Sequence, residues 1–97
     1  MNFEIAPKET EIKANWDDAR LYCFALNIDG KTGWRLPTKE ELNEIYESVN
    51  DFEKAWYWSS TEADGYGAWD QLMSCGNQYL NVKNYGSTYV RAIRSIP

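Results

Sequence analysis

The sequence contains no histidine at all. Histidine is the side chain that most often acts as a general base near neutral pH, and its neutral imidazole is the commonest metal ligand in proteins. Nucleophiles that depend on a serine–histidine or cysteine–histidine pair are excluded with it. We therefore predict that the chain is not an enzyme and carries no cofactor.

Cysteine is scarce, with only Cys23 and Cys75 present. The two residues permit at most one disulfide bond, and their spacing matches no CxxC pattern. Two sulfur ligands cannot complete a structural zinc site without histidine. We interpret Cys23 as a small buried apolar residue. An oxidoreductase that uses both thiols stays open as an alternative function, and it requires the two side chains to meet.

Basic residues are outnumbered, since ten Lys and Arg face fifteen Asp and Glu and the net charge is −5. Binding to a phosphate backbone requires a concentrated basic surface. We therefore predict a partner other than a nucleic acid.

Long apolar runs are missing as well. No run approaches the roughly 18 residues that cross a bilayer, so we predict no membrane insertion. The segment 1–13 lacks the basic start and apolar stretch of a secretory signal. We expect synthesis in the cytoplasm. Display on a virion or a cell surface, as part of a larger particle, is a further possibility that the sequence leaves undecided.

Two helices are predicted within a single domain, residues 1–97, because a chain of 97 residues has room for one core. Asn15 is a suitable cap for a helix over 16–26, whose apolar residues recur at helical spacing. Thr38 and Glu41 match the capping-box pattern, which predicts a second helix from Lys39 to about 49 or 50.

From Trp56 onwards the periodicity changes to that of strands. The segments WYWSST, GAWDQLMSCG, NQYLNVK and STYVRAIRSI are short, rich in Tyr, Trp, Val and Ile, and separated by Gly, Asn, Asp and Ser. The early segment FEI is expected to pair with the last strand. Two helices followed by strands predict an α+β fold.

Several motifs follow one another in a characteristic order. They are Trp16-Asp17-Asp18-Ala19, Gly33-Trp34-Arg35-Leu36-Pro37-Thr38, Tyr57-Trp58-Ser59-Ser60-Thr61, Ala68-Trp69 and Tyr89-Val90-Arg91-Ala92-Ile93-Arg94. Over roughly residues 15–94 this order resembles the Lcl C-terminal domain family of bacterial surface and phage proteins. The resemblance implies a C-type-lectin-like fold, with two helices packed on a twisted antiparallel sheet and irregular loops. It also implies a binding or display role, since some relatives are variable proteins of diversity-generating retroelements.

Two departures from the family pattern limit what the resemblance implies. Ala92 stands where many relatives have a cysteine placed to bridge the cysteine of the first helix, which favours a reduced Cys23 here. The sequence Trp69-Asp70-Gln71 only partly matches the calcium and sugar signatures of C-type lectins. Calcium-dependent sugar binding is therefore not predicted from the fold name.

The segment 74–89 has the composition of a binding surface, since ten of its sixteen residues are Tyr, Ser, Gly or Asn. Antibody loops use the same residues, because Tyr offers a large rigid contact area and the others adapt their hydrogen bonds. If Trp69, Gln71 and Met73 point inward, then Asp70 and its alternating neighbours point outward. The predicted ligand-binding residues are Asp70, Leu72, Ser74, Asn77, Tyr79, Asn81, Asn84, Tyr85 and Ser87. We expect a protein or glycan ligand, with a structural or homo-oligomerising subunit that uses the same face as the alternative.

Other conspicuous residues receive structural interpretations. Arg35, Arg91 and Arg94 are predicted to brace the fold by pairing with acids or loop carbonyls. The five tryptophans, Trp16, Trp34, Trp56, Trp58 and Trp69, are predicted to be core residues. No metal site is predicted. Binding of a divalent cation stays open as an alternative, because Glu62, Asp64 and Asp70 flank one glycine-rich loop.

Overall fold

The two helices begin where the capping residues predict. In the computed structural model, which describes residues 1–96, α1 spans Trp16–Ala25 and α2 spans Lys39–Ser48. The side-chain oxygen of Asn15 accepts a hydrogen bond from the Asp18 amide at 2.9 Å. Thr38 and the Glu41 carboxylate form the predicted capping box, with bonds of 3.1 and 2.8 Å. Both helices end slightly earlier than predicted.

Eight strands form two sheets. The strands are β1 (Phe3–Ile5), β2 (Ile12–Ala14), β3 (Trp34–Arg35), β4 (Trp56–Glu62), β5 (Gly67–Leu72), β6 (Gln78–Val82), β7 (Thr88–Val90) and β8 (Ile93–Ser95). One sheet has the order β1-β8-β3 and the other the order β2-β7-β4-β5-β6. The fold is α+β, as the sequence predicts. Neither of the helices in the described part of the chain is long and apolar enough to cross a membrane.

The expected pairing of FEI with the last strand is confirmed, because β1 lies antiparallel to β8. The interpretation of STYVRAIRSI as a single strand is wrong, since the chain leaves the larger sheet after Val90 and joins the smaller one at Ile93. Between these residues the Ala92 carbonyl accepts a hydrogen bond from the Ala6 amide at 2.9 Å, and the Arg91 side chain is buried. The break therefore coincides with a buried arginine, whose guanidinium donates to the Ala6 carbonyl at 2.9 Å.

The expectation of a wholly antiparallel sheet is also wrong, because β4 and β7 pair in parallel through Tyr57 and Tyr89. A parallel neighbour needs a long crossover connection, and here β5, β6 and the following loop provide it. The crossover leaves β6 at one edge of the five-stranded sheet.

The core lies on both faces of the larger sheet. Trp58 packs with residues of α1, and the adjacent Tyr57 packs with residues of α2. Successive strand residues point to opposite faces, so the two helices cover opposite sides of β4.

Only three of the five tryptophans are core residues as predicted. Trp16, Trp34 and Trp58 are buried, whereas Trp56 and Trp69 are half-buried. The Lys39 ammonium at the start of α2 lies 4.1 Å from the centroid of the Trp69 ring, so a charged side chain rather than an apolar one packs on this face of the ring. Trp56 is half-buried because it lines a cavity on a part of the sheet that neither α1 nor α2 covers.

The bracing roles predicted for the arginines are confirmed. Arg35 binds Glu41 through two hydrogen bonds of 2.7 and 2.8 Å. Arg94 donates to the Thr32 carbonyl and the Glu4 carboxylate, both at 2.7 Å. Each guanidinium fixes a loop or strand end by bidentate or bridging contacts, a geometry that lysine cannot reproduce.

Candidate ligand-binding pocket

The strand register brings the predicted site residues onto one face of the larger sheet. Asp70 lies opposite Trp58 on β4 and opposite Tyr79 on β6, and Leu72 lies opposite Trp56. Directly opposed residues of antiparallel strands project from the same face. Helix α1 covers this face around Trp58 and leaves the region between Trp56 and β6 uncovered.

A cavity of about 370 Å³ occupies this uncovered region. We call it the aromatic pocket. Its lining residues are Trp56, Asp70, Tyr79, Leu80, Asn81 and Tyr85. The Trp56 and Tyr79 rings meet edge to face, with centroids 5.1 Å apart and planes at 70°. Tyr79 is 49% exposed and Tyr85 is 50% exposed, so neither ring is tucked beneath other side chains.

Asp70 is buried within the aromatic pocket. Its side chain is on the predicted face, but the prediction that it is exposed there is wrong, because only 2% of the residue is accessible. The short side chain lies between the larger residues of β4 and β6, and the Asn81 amide covers it. Asn81 Nδ2 donates to Asp70 Oδ2 at 3.0 Å, whereas Asp70 Oδ1 has no hydrogen-bond partner in residues 1–96.

Burial also changes the acidity of Asp70. Loss of hydration raises its pKa from the ordinary value of 3.8 to about 6, and the hydrogen bond from Asn81 opposes this rise. The aromatic pocket is therefore lined by a buried carboxyl group with a raised pKa, and one of its oxygens has no hydrogen-bond partner in residues 1–96.

A family model for the Lcl C-terminal domain matches residues 4–94. The chain belongs to the Lcl C-terminal domain family. Comparison with curated proteins gives no match.

The other predicted site residues of this Lcl C-terminal domain do not line the aromatic pocket. Leu72 is half-buried beside Trp56, and Ser74 and Asn77 are exposed in the turn between β5 and β6. Asn84 and Ser87 are exposed in the loop that leads to β7. Asn84 lines a separate cavity together with residues at the start of α1. The structure thus gathers Asp70, Tyr79, Asn81 and Tyr85 into one pocket, and the other five predicted residues lie outside its lining, on β5 and in the loops before and after β6.

Sequence reasoning missed Trp56 and Leu80 as pocket residues of the Lcl C-terminal domain. A signal for Trp56 was present, because it alternates with Trp58 and must share a face with it. The missing information was how far α1 extends over that face.

The three acids considered for a divalent cation do not come together. Glu62 pairs with Lys83 at 2.7 Å, and Asp64 Oδ1 accepts the Tyr66 and Gly67 amides at 2.8 Å. Asp70 belongs to the aromatic pocket instead. Within residues 1–96 no group of three or more Cys, Asp or Glu side chains is placed to hold a metal ion.

The two cysteines of the Lcl C-terminal domain have different surroundings. Cys23 is fully buried on α1, where burial raises the pKa of its thiol to about 12, and Cys75 is exposed in the turn after β5. Both are free thiols. A thiolate is the reactive form, so the environment of Cys23 opposes redox or nucleophilic chemistry.

We expect one fast-reacting thiol in the folded protein. Cys75 should react with an aromatic disulfide reagent such as DTNB, whereas Cys23 should react roughly a hundredfold more slowly and fully only after unfolding. A Cys75→Ser variant should therefore show almost no fast reaction. Two fast thiols in the native protein would contradict this prediction and would restore the oxidoreductase alternative.

Proposed function

We propose that this Lcl C-terminal domain is a binding module that recognises a protein or glycan ligand through the aromatic pocket and its margins. The observation that carries the proposal is the pair of half-exposed tyrosines beside a cavity with a buried acid at its floor. Tyrosine supplies contact area with few rotatable bonds, and asparagine and serine at the margins supply adaptable hydrogen bonds. Leu80 also lines the cavity and is exposed on the edge strand β6.

A C-type-lectin-like fold is part of the same proposal. The two helices, the pairing of β1 with β8 and the irregular loops around β6 are compatible with it. We propose neither a calcium-dependent sugar site nor an enzymatic activity. The absence of histidine and the buried, weakly acidic thiol of Cys23 support the second point.

The module would act as part of something larger, such as a virion or a cell surface, and its partner would not be a nucleic acid. The net charge of −5 supports the exclusion of nucleic acids.

Diversification of the segment 74–89 by a retroelement is testable by sequencing the DNA that surrounds the gene. A reverse-transcriptase gene and a near-copy of the segment for 74–89 are expected nearby, and the absence of both would remove this version of the proposal.

Screening on glycan and protein arrays tests the binding function. Wild type should bind a restricted set of ligands, and a variant with Tyr79, Asn81 and Tyr85 all changed to Ala should lose them by at least about tenfold in affinity, as expected for removal of aromatic anchors. A Phe24→Ala variant is the matched control, since it removes an 83%-exposed aromatic ring on α1. Equal binding by the wild type and the triple variant would move the site elsewhere.

The alternative of an oligomerising subunit is favoured by one observation. Strand β6 is an edge strand, and its Leu80 and Val82 are 51% and 55% exposed. An exposed apolar edge is a template for pairing with another chain. Light scattering separates the two functions. A monomer at high micromolar concentration supports the binding module. A dimer that the Leu80→Lys substitution dissociates supports the oligomerising subunit.

A further inference from the structure

The floor of the aromatic pocket contains a charge that the rest of the domain does not neutralise. Asp70 is the only charged residue among the lining residues. Its Oδ2 atom has the Asn81 amide, and its Oδ1 atom is buried without a hydrogen-bond partner in residues 1–96. A buried carboxylate oxygen without a donor is costly, and folded proteins seldom keep one. A donor that arrives with a ligand would remove this cost.

The walls of the pocket are suited to a positive charge. Three of the six lining residues are aromatic, namely Trp56, Tyr79 and Tyr85. Aromatic ring faces attract cations, and groups of such rings recognise alkylammonium ions. Since the Trp56 and Tyr79 planes are inclined at 70°, they form a corner rather than the flat platform on which a sugar ring would stack. A compact ammonium group fits a corner of this kind better than a flat ring does.

The net charge of the domain also favours a positively charged ligand. The domain has a net charge of −5, which attracts cationic partners over distances of about a Debye length. A single carboxylate is too few for a divalent metal ion, because calcium requires about six to eight oxygen ligands. Lysine and arginine side chains both offer one positive charge, several N–H donors and an apolar stem. The compact ammonium group of lysine suits a corner between inclined rings better than the planar guanidinium of arginine, which stacks flat on a ring face.

We infer that the aromatic pocket binds the ammonium group of a lysine side chain presented by a protein partner, with the Asp70 carboxylate as its counter-ion and hydrogen-bond acceptor and the Trp56, Tyr79 and Tyr85 rings around its stem. This inference rests on the proposed binding function and narrows its ligand to a protein with an exposed lysine.

The test uses two small compounds that differ only in the charge-bearing end. Nα-acetyl-lysine methylamide carries the ammonium group, and Nα-acetyl-norleucine methylamide has an uncharged alkyl chain. Each is titrated into ¹⁵N-labelled protein while the Trp56 indole N–H and the Asn81 side-chain amide signals are followed by NMR. We expect saturable shifts with the lysine compound at millimolar concentration and at least tenfold weaker binding of the norleucine compound.

Two variants complete the experiment. Asp70→Asn keeps the shape of the side chain and should weaken binding of the lysine compound at least tenfold. Glu40→Gln removes one negative charge from an exposed position of α2 and should leave binding unchanged. The spectra report folding directly, so loss of binding by an unfolded variant would be recognised.

Three results would overturn the inference. They are equal binding of the lysine and norleucine compounds, no effect of Asp70→Asn, and saturable shifts with methyl glucoside but not with the lysine compound. In each case the array screen still decides the broader binding function, since it depends on the triple Tyr79, Asn81 and Tyr85 variant and not on the charge of the ligand.

Discussion

Replacing Arg91 by alanine is expected to lower the free energy of unfolding by about 3–5 kcal/mol, because, within residues 1–96, it leaves the buried Glu11 carboxylate with only the longer ion pair of 3.8 Å to the exposed Lys8. The Arg91 side chain is only 4% exposed and contacts the Glu11 carboxylate, which is 7% exposed, at 3.3 Å. It also donates to the Ala6 carbonyl at 2.9 Å and to the Asp51 carboxylate at 2.9 and 3.1 Å. The guanidinium thus connects segments that are far apart in the sequence.

The loss of Arg91 should be measured by urea denaturation beside an Arg94→Ala control. Arg94 pairs with Glu4, but both side chains are near 30% exposed, so its removal should cost about 1 kcal/mol or less. Hydrogen bonds from Arg91 lower the pKa of Asp51. The pair of Arg91 and Asp51 therefore stabilises the folded state fully above the ordinary pKa of 3.8, and this stabilisation is lost in acid as Asp51 becomes protonated. The loss of unfolding free energy caused by Arg91→Ala should accordingly shrink as the pH falls below about 4. Equal losses for the two variants would contradict the assigned role of Arg91.

Changing Asp70 to asparagine is expected to stabilise the domain at pH 8, by about 1–3 kcal/mol. The folded pKa of Asp70 is about 6, whereas its ordinary value is 3.8, so ionisation of this group opposes folding. The cost reaches its full size above the folded pKa of about 6 and is relieved as the pH falls, until below the ordinary pKa of 3.8 the carboxyl is protonated in both the folded and the unfolded chain. The advantage of Asp70→Asn over wild type should therefore diminish over the same range.

The comparison of variant and wild type isolates this one group. Asp70 is the only carboxyl group that lines the aromatic pocket, where the other titratable groups are the phenols of Tyr79 and Tyr85. Glu40→Gln is again the control, and its stability relative to wild type should not follow the same pH range. An Asp70→Asn variant that is less stable than wild type at pH 8 would show that the carboxylate is satisfied in the folded state. A variant that gains stability while losing its ligand would be typical of a residue kept for function.

The helix starts were predictable because the residues that cap a helix lie close together in the sequence. Asn15 and the pair Thr38 and Glu41 place both helix starts, because capping bonds join residues only three positions apart. Alternation places Asp70 and Tyr79 on one face, since the side-chain period of a strand is fixed. The family resemblance likewise predicted membership, which the match over residues 4–94 confirms.

The features that sequence could not predict depend on distant parts of the chain. The burial of Asp70 and the half-exposure of Trp56 depend on how far α1 covers the sheet and on Asn81 from β6 closing over the acid. The parallel pairing of Tyr57 with Tyr89 arises from a crossover of about thirty residues, which no periodicity reveals. The number and position of the pocket residues follow from this tertiary arrangement rather than from composition.

The adjacency of β1 and β8 has a practical consequence. The Ile96 amide donates to the Asn2 carbonyl at 3.1 Å, so the chain enters and leaves the domain at neighbouring points of the three-stranded sheet. The aromatic pocket belongs to the other sheet. A host protein could therefore accept this domain as an insertion in one of its surface loops with short linkers, and the graft would keep the aromatic pocket clear of both junctions.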